Sequence, residues 1–412
     1  MLTLKPITQN NVASRLKNKI VGTAYITGLK SVSKILNIPK PSVFIGKNSS
    51  INLCESAAQF GLNKILIVTD KALYNMGMLD NILKSFEQSG IEYSLFTDVL
   101  PDPTFDVVNS GLDQYIKGNC DSVLAIGGGS SIDAAKVIAL SATNGQKPIE
   151  FAGLFKGKKP AAPFFTIPTT SGTGSEATIG AVISDSETHN KELVIDTKMV
   201  PLLAALDPEL TKGLPSAMTA ATGIDALTHL VEAYLSEMAT DESDYYARSG
   251  IQMIFNGLPT VYEQGDNLQA REKMALASYY GGLTINIAGL GYVHAFAHQL
   301  GSKYRIPHGL ANSIVLPHIL EFNKKAKKER LADLARTLGL GERYDVDSVL
   351  ADKFIEAVKT LIKSLGIDPE QKHVQAKDVD SIIAAAFKEA NSTYAVPKYM
   401  SHSDAKALLE KL

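Results

Sequence analysis

From Ser42 to Ile126 the chain alternates short apolar runs with longer stretches of helical spacing. Ser42–Gly46, Lys64–Thr69, Ile91–Phe96 and Ser122–Ile126 are strand-like runs rich in Val, Ile and Phe. Between them, Ile51–Phe60, Leu73–Ser89 and Phe105–Lys117 carry helical spacing, and Gly90 and Gly118 stand where the last two should end. Apolar strands separated by helices predict a parallel sheet covered on both faces. Pro163–Ile167 and Ala/Val/Ile-rich strands among residues 177–206 continue the pattern, and Leu206-Asp207-Pro208 marks a turn. After about Leu214 the character changes. Pro215 opens a helical run to Leu235, and helical spacing then recurs as far as Val379–Ala390 with almost no strand periodicity. The chain therefore divides into a polar, Lys-rich extension (1–40) ending at Pro39-Lys40-Pro41, an α/β domain (41–213) and an all-helical domain (214–412).

The chemistry concentrates where these patterns break. The strand at Ser122–Ile126 runs into Gly127-Gly128-Gly129-Ser130-Ser131 and then a helix. Glycines before a helix N-terminus let backbone N–H groups approach a phosphate, although the same sequence also suits a tight structural turn. The spacing is neither GxGxxG nor a Walker loop. Asp70 closes the strand Lys64–Thr69, where a carboxylate can bond a ribose hydroxyl or simply cap the next helix. Ile167-Pro168-Thr169-Thr170-Ser171-Gly172-Thr173-Gly174 offers hydroxyls and pliable backbone at a third strand end.

Half of the eight histidines lie in Gly289–His318. His294 and His298 are four apart, so on a helix they share a face, and Pro307-His308-Gly309 puts another imidazole at a helix start. Asp225 and His229 repeat that spacing on an Ala/Leu/Val-rich segment. Burying so many titratable groups without partners would be costly, and a carboxylate with three imidazoles suffices for a divalent transition metal.

Composition narrows the alternatives. Hydrophobic content of 45% and charged content of 20% over 412 residues describe an ordinary globular chain of two or three domains. A net charge of -2 gives no electrostatic case for nucleic acid or an anionic membrane, and no apolar run approaches ~20 residues. Cys54 and Cys120 lack metal-type spacing and fit a reducing compartment. Ile20–Leu29 lacks a signal-peptide cleavage site and reads as a short helix or surface arm, so a cytoplasmic protein is expected. Lys324–Arg330 reads as a solvated basic helix face.

The motifs GGGSSIDAAK (127–136), IPTTSGTGSE (167–176), ATGIDALTHLVEAY (221–234) and GLGYVHAFAHQLGSKYRIPHGLANSIVLPH (289–318) resemble those of the iron-containing (group III) alcohol dehydrogenases. That family resembles glycerol dehydrogenase and dehydroquinate synthase in fold. The resemblance spans roughly 41–323, leaving the first forty residues outside it. It implies that Asp225, His229, His294 and His308 ligate the metal and that His298 faces the substrate. It further implies that Asp70, Asp102, Gly128, Gly129, Ser130, Asp133, Thr169, Thr170, Thr178 and Lys191 touch the nicotinamide cofactor. The expected activity is reversible hydride transfer between a small alcohol and NAD. The donor set also suits Zn²⁺, Co²⁺ or Ni²⁺, and the resemblance alone puts Fe²⁺ first. A carboxylate at Asp70 favours NAD over NADP by repelling a 2′-phosphate. His298 is expected either to relay a proton or to orient substrate. Tyr292, Phe296, Tyr279 and Leu290 are expected as pocket walls, with a small alcohol or aldehyde as ligand and a homodimer as the assembly. The rivals are a glycerol dehydrogenase-like polyol enzyme, a dehydroquinate synthase-like lyase and a nucleotide sensor without catalysis. For the lyase, only Lys303 and Arg305 near the histidines could bind an acidic substrate.

Overall fold

A computed structural model describes residues 38–188, 190–342, 344–369 and 373–412. The extension before residue 38, including the arm read at Ile20–Leu29, lies outside the described residues. The first half is built on a six-stranded parallel sheet of β1 (Ser42–Ile45), β2 (Lys64–Val68), β3 (Glu92–Phe96), β4 (Ser122–Gly127), β6 (Phe164–Pro168) and β9 (Leu203–Leu206). Its order is β1-β9-β6-β4-β2-β3. Alternation along the strands separates two cores. Ile65, Ile67, Leu124, Ile126 and Phe165 pack against the helices Ser49–Ala58 and Asp80–Gln88 on one face. Leu66, Val68, Val123, Ala125 and Phe164 pack on the other, against Phe105–Lys117 and Gly129–Asn144.

Two local expectations are corrected. Leu73–Ser89 is not one helix: Lys71–Asn75 and Asp80–Gln88 are separated by a turn in which Gly77 takes φ 68°, which halts helical propagation. The strands within 177–206 are not all additions to the main sheet. β7 (Gly180–Ser184) and β8 (Lys191–Ile195) pair antiparallel and, with β5 (Gly153–Leu154), form a separate three-stranded sheet.

The second half is helical and begins at Ser216–Leu235, capped by Pro215. Asp241–Glu263, Leu268–Ala288, Tyr292–Tyr304 and His308–Asn323 follow, then four further helices ending with His402–Leu409. One apolar cluster running from Ala220 to Leu412 holds them together. The basic run is not wholly solvated: Lys327 pairs with Glu237, and Arg330 binds Asp244 while lying 3.7 Å over the Tyr234 ring. Among the described residues no helix is long and apolar enough to cross a membrane.

Candidate active site

The loops at the C-terminal ends of β2, β4 and β6 adjoin because the strands do. Asp70 follows β2, Gly127–Ser130 end β4 and open the next helix, and Thr169–Thr170 follow β6. Thr169 N–H donates to Gly127 C=O at 3.0 Å, tying two of these loops together. Gly129 has no room for a side chain: a Cβ there would stand 2.8 Å from the Thr173 methyl. Gly128–Ser130 stand at a helix N-terminus, where backbone N–H groups can meet an anion. Asp70 caps the following helix, its Oδ1 accepting from Leu73 N–H at 2.9 Å. At the rim, Lys191 Nζ meets Asp102 Oδ1 at 2.7 Å, joining β8 to the loop after β3.

Asp133 and Thr178 are bound up within the protein. Asp133 accepts from Ser175 Oγ at 2.5 Å and Val182 N–H at 2.9 Å. Thr178 Oγ1 is 2.7 Å from Lys136 Nζ, which also donates to Ser175 Oγ and Gly180 C=O. Lys136 is completely buried, and that burial, opposed by Asp133 and Glu176, pulls its ammonium down to about 8. Burial likewise pushes the Glu176 carboxyl from 4.5 up to about 7. Between those values the folded protein keeps a proton that the unfolded chain releases, so stability falls as pH rises through the window. Glu176→Gln should abolish that fall. Urea midpoints should show the variant about 1–3 kcal/mol more stable than wild type at pH 8 and equal to it at pH 4. An advantage of the same size at both pH values would remove the carboxylate as its cause.

The second group of residues converges in the helical domain. Asp225 and His229, from Ser216–Leu235, are 2% and 5% exposed, and His294 is 1% exposed. Ligand atoms of these three lie within 4.8 Å of one another. Asp225 Oδ1 lies 3.8 Å from His229 Nε2, 3.6 Å from His294 Nε2 and 3.4 Å from His308 Nε2. A tetrahedral ion with bonds of about 2.1 Å requires ligand atoms about 3.4 Å apart, so this donor set fits a divalent transition metal. His308 stands on the open side, its side chain 38% exposed.

Three residues the sequence reading missed shape this centre. Glu232 Oε2 accepts from His294 Nδ1 at 2.6 Å, and the carboxylate also accepts from Gly291 and Val293 N–H. That bond puts the His294 proton on Nδ1 and aims Nε2 inward. Asn312, one turn beyond His308, donates to Asp225 Oδ1 at 2.7 Å. Glu389 lies 2.7 Å from His298 Nδ1. The available hint was Glu232 in the same apolar helix, two turns past Asp225.

Charge follows the geometry. Burial alone would raise Asp225, but His229 and His308 overcome it and hold its carboxyl well below the ordinary range. Burial drives His229 down to about 3 against the pull of Asp225, so its imidazole is neutral. Burial also opposes a proton on His294, yet Glu232 and Asp225 prevail and lift it to about 9. A cation binding here must displace that proton. His298 lies below its usual value because of burial, with Glu389 opposing.

Two glycine contacts join the loop after β6 to the metal centre. A Cβ on Gly172 would meet Thr222 Cβ at 2.7 Å, and one on Gly282 would meet Gly174 C=O at 2.2 Å. The Thr170–Gly174 loop is thereby seated against the helix that carries Asp225, one turn before it. The expected pocket walls need correction. Tyr292 and Phe296 are 1% and 0% exposed within the helical core, and Tyr279 is buried against Leu206 and Leu283, while Tyr292 and Leu290 line a small cavity with Glu232 and Ala395.

A Gly-rich strand-to-helix turn near an Asp/His centre able to hold a divalent ion is the arrangement expected of a metal-dependent nicotinamide dehydrogenase. The comparisons make this specific: residues 40–208 match the iron-containing alcohol dehydrogenase model, and residues 219–412 match the C-terminal model of the same family. The chain belongs to the iron-containing alcohol dehydrogenase family. It is 38% identical over 354 residues to the NAD-dependent methanol dehydrogenase of Bacillus methanolicus, covering 85% of this chain and 93% of that protein. It is also 38% identical to alcohol dehydrogenase 4 of Schizosaccharomyces pombe, over 90% of this chain and 87% of that one. The solved alcohol dehydrogenase from Oenococcus oeni superposes with a TM-score of 0.87 at 35% identity, covering 91% of this chain and 99% of that one. The dehydroquinate synthase-like architecture expected from sequence, a parallel-sheet α/β half followed by helices, is the one observed. The chain is accordingly an alcohol dehydrogenase or aldehyde reductase working with NAD and, as its family name states, iron.

Proposed function

We propose that this protein interconverts a short aliphatic primary alcohol and its aldehyde, with Asp225, His229, His294 and His308 holding one Fe²⁺ and His298 facing the substrate. The observation that carries the reading is the set of 3.4–3.8 Å separations between Asp225 Oδ1 and three Nε2 atoms. Relatives named for methanol, 1,3-propanediol and lactaldehyde support a small substrate. When bound, the divalent ion supplies Lewis acidity that lets a hydroxyl shed its proton near neutral pH.

The chain's own groups supply the rest. Gly128, Gly129 and Ser130 present helix N-terminal amides to the pyrophosphate, while Thr169 and Thr170 flank it. Asp70 would take a ribose hydroxyl and disfavour a 2′-phosphate, and Lys191 and Asp102 would touch the cofactor. Asp133, through Ser175 Oγ, and Thr178, through Lys136 Nζ, brace the Ser175–Gly180 segment. So held, the nicotinamide would supply a hydride acceptor for the alcohol carbon; orientation of this kind is worth ~7–11 kcal/mol. His298 accepts the hydroxyl proton during oxidation and returns it during reduction.

A lyase acting on an acidic substrate is disfavoured because Lys303 is engaged by Asp378 at 3.0 Å and by Ser381. Cys54 and Cys120, both buried and unpaired, suit the cytoplasm. A homodimer is the family's expectation. The test is a panel of alcohols and polyols assayed for NADH formation with and without chelator. Chelator-sensitive turnover fastest on short primary alcohols supports the proposal; preference for glycerol or no chelator effect refutes it.

A further inference from the structure

His298 does not stand alone. Its Nδ1 is 2.7 Å from Glu389 Oε1, which comes from the helix Val379–Thr393, outside the sequence motifs above. The same oxygen accepts from Tyr394 Oη at 2.7 Å, and Gln299 Nε2 donates to the other oxygen at 3.3 Å. One carboxylate thus gathers three donors, two from the helix Tyr292–Tyr304 and one from the residue that follows its own helix. The dyad lies at the protein's open side: the His298 and Glu389 side chains are 27% and 25% exposed. Beyond it the His298 ring stacks on His308, with centroids 5.2 Å apart and planes at 19°.

We propose that Glu389, braced by Tyr394, is the positioning residue of the alcohol pocket. It fixes His298 as the Nδ1–H tautomer so that Nε2 is presented to the substrate hydroxyl as an acceptor. The inference rests on the reading of His298 as the substrate-facing histidine. A neutral imidazole has one donor and one acceptor nitrogen, and the partner of one nitrogen decides the role of the other. A carboxylate accepts only, so Nδ1 must carry the hydrogen and Nε2 the lone pair. Without Glu389 the ring is free to take the opposite tautomer or turn over, and a donor would then confront the O–H that must lose its proton. Tyr394 Oη contributes indirectly, pinning Oε1 in the rotamer that reaches Nδ1.

The role separates from simple packing by chemistry. An amide at position 389 still offers a carbonyl oxygen to Nδ1–H, whereas alanine offers nothing. In metal-loaded full-length enzyme, Glu389→Ala should lower kcat about 10–100-fold, as losing an orienting partner commonly does. KM for NAD and bound metal should be unchanged. Glu389→Gln should recover most of the loss, and Tyr394→Phe should show a smaller fall in kcat. Adding Glu389→Ala to His298→Ala should cost nothing further, since the two act as one unit. If Glu389→Ala keeps kcat within twofold of wild type while His298→Ala does not, the inference is wrong and the His298 reading survives. Should His298→Ala itself be silent, the His298 reading fails and takes the inference with it. Equal losses in the Gln and Ala variants, or loss of bound metal in either, would make Glu389 a structural residue and overturn the proposal.

Discussion

Asp225→Ala should lower kcat/KM for alcohol oxidation by about 10³-fold or more and leave the purified protein without bound divalent metal. The size follows from position. Asp225 Oδ1 lies within 3.8 Å of Nε2 on each of His229, His294 and His308. It is also the buried negative charge that offsets a cation's charge. Its loss leaves three imidazoles around a site with no anionic ligand. A second reading separates lost metal from lost fold. Wild-type protein should melt lower after chelation, by mass action of a ligand bound only to the native state, while Asp225→Ala should melt at the same temperature with or without chelator. Retention of a tenth of wild-type activity in the variant would rule Asp225 out as a ligand.

Gly309→Ala should also damage the metal centre, although it removes no functional group. A Cβ there would stand 2.2 Å from Ala221 C=O and 2.6 Å from the Ala221 carbonyl carbon. Both are backbone atoms of the helix that bears Asp225 and His229, so no side chain can swing aside. The helix His308–Asn323 must withdraw, and His308, the adjacent residue, moves off the centre. Overpacking of this kind costs about 1–3 kcal/mol, and misplacing one ligand should weaken metal binding by about tenfold or more. Gly213→Ala is the matched control, having nothing within 4 Å of its Cβ and a φ outside the left-handed range. Competition against a chromophoric chelator would measure the change. Equal affinity in both variants would show that close approach of the two helices does not set the ligand geometry.

These cases show what the amino-acid order reveals and what it conceals. Short-range spacing was legible: the i,i+4 pair Asp225/His229, Pro307 ahead of His308, and glycines at the end of a buried strand each reflect one helical turn or one strand terminus. The break between the parallel-sheet half and the helical half was legible for the same reason, as a change of period near residue 213. Long-range partners were not. Glu232 reaches His294 across 62 positions and Glu389 reaches His298 across 91, and a carboxylate on a helix reads alike whether it meets water or an imidazole. Side-chain direction was hidden too. Tyr292 and Phe296 flank His294 in sequence, yet successive residues on a helix point about 100° apart, and these rings face the core. The break at Gly77 went unseen because its flanks keep helical spacing on either side.

The central claim is that one divalent ion, held by Asp225 and three histidines near the Gly-rich turn, carries the redox activity. Stepwise return of Fe²⁺ to chelated enzyme under anaerobic conditions, with NAD-linked alcohol oxidation followed at each addition, tests it most directly. The account predicts activity that climbs linearly and levels off at one equivalent of metal per chain. Full activity in the metal-free protein, or a plateau unrelated to one equivalent, would contradict it.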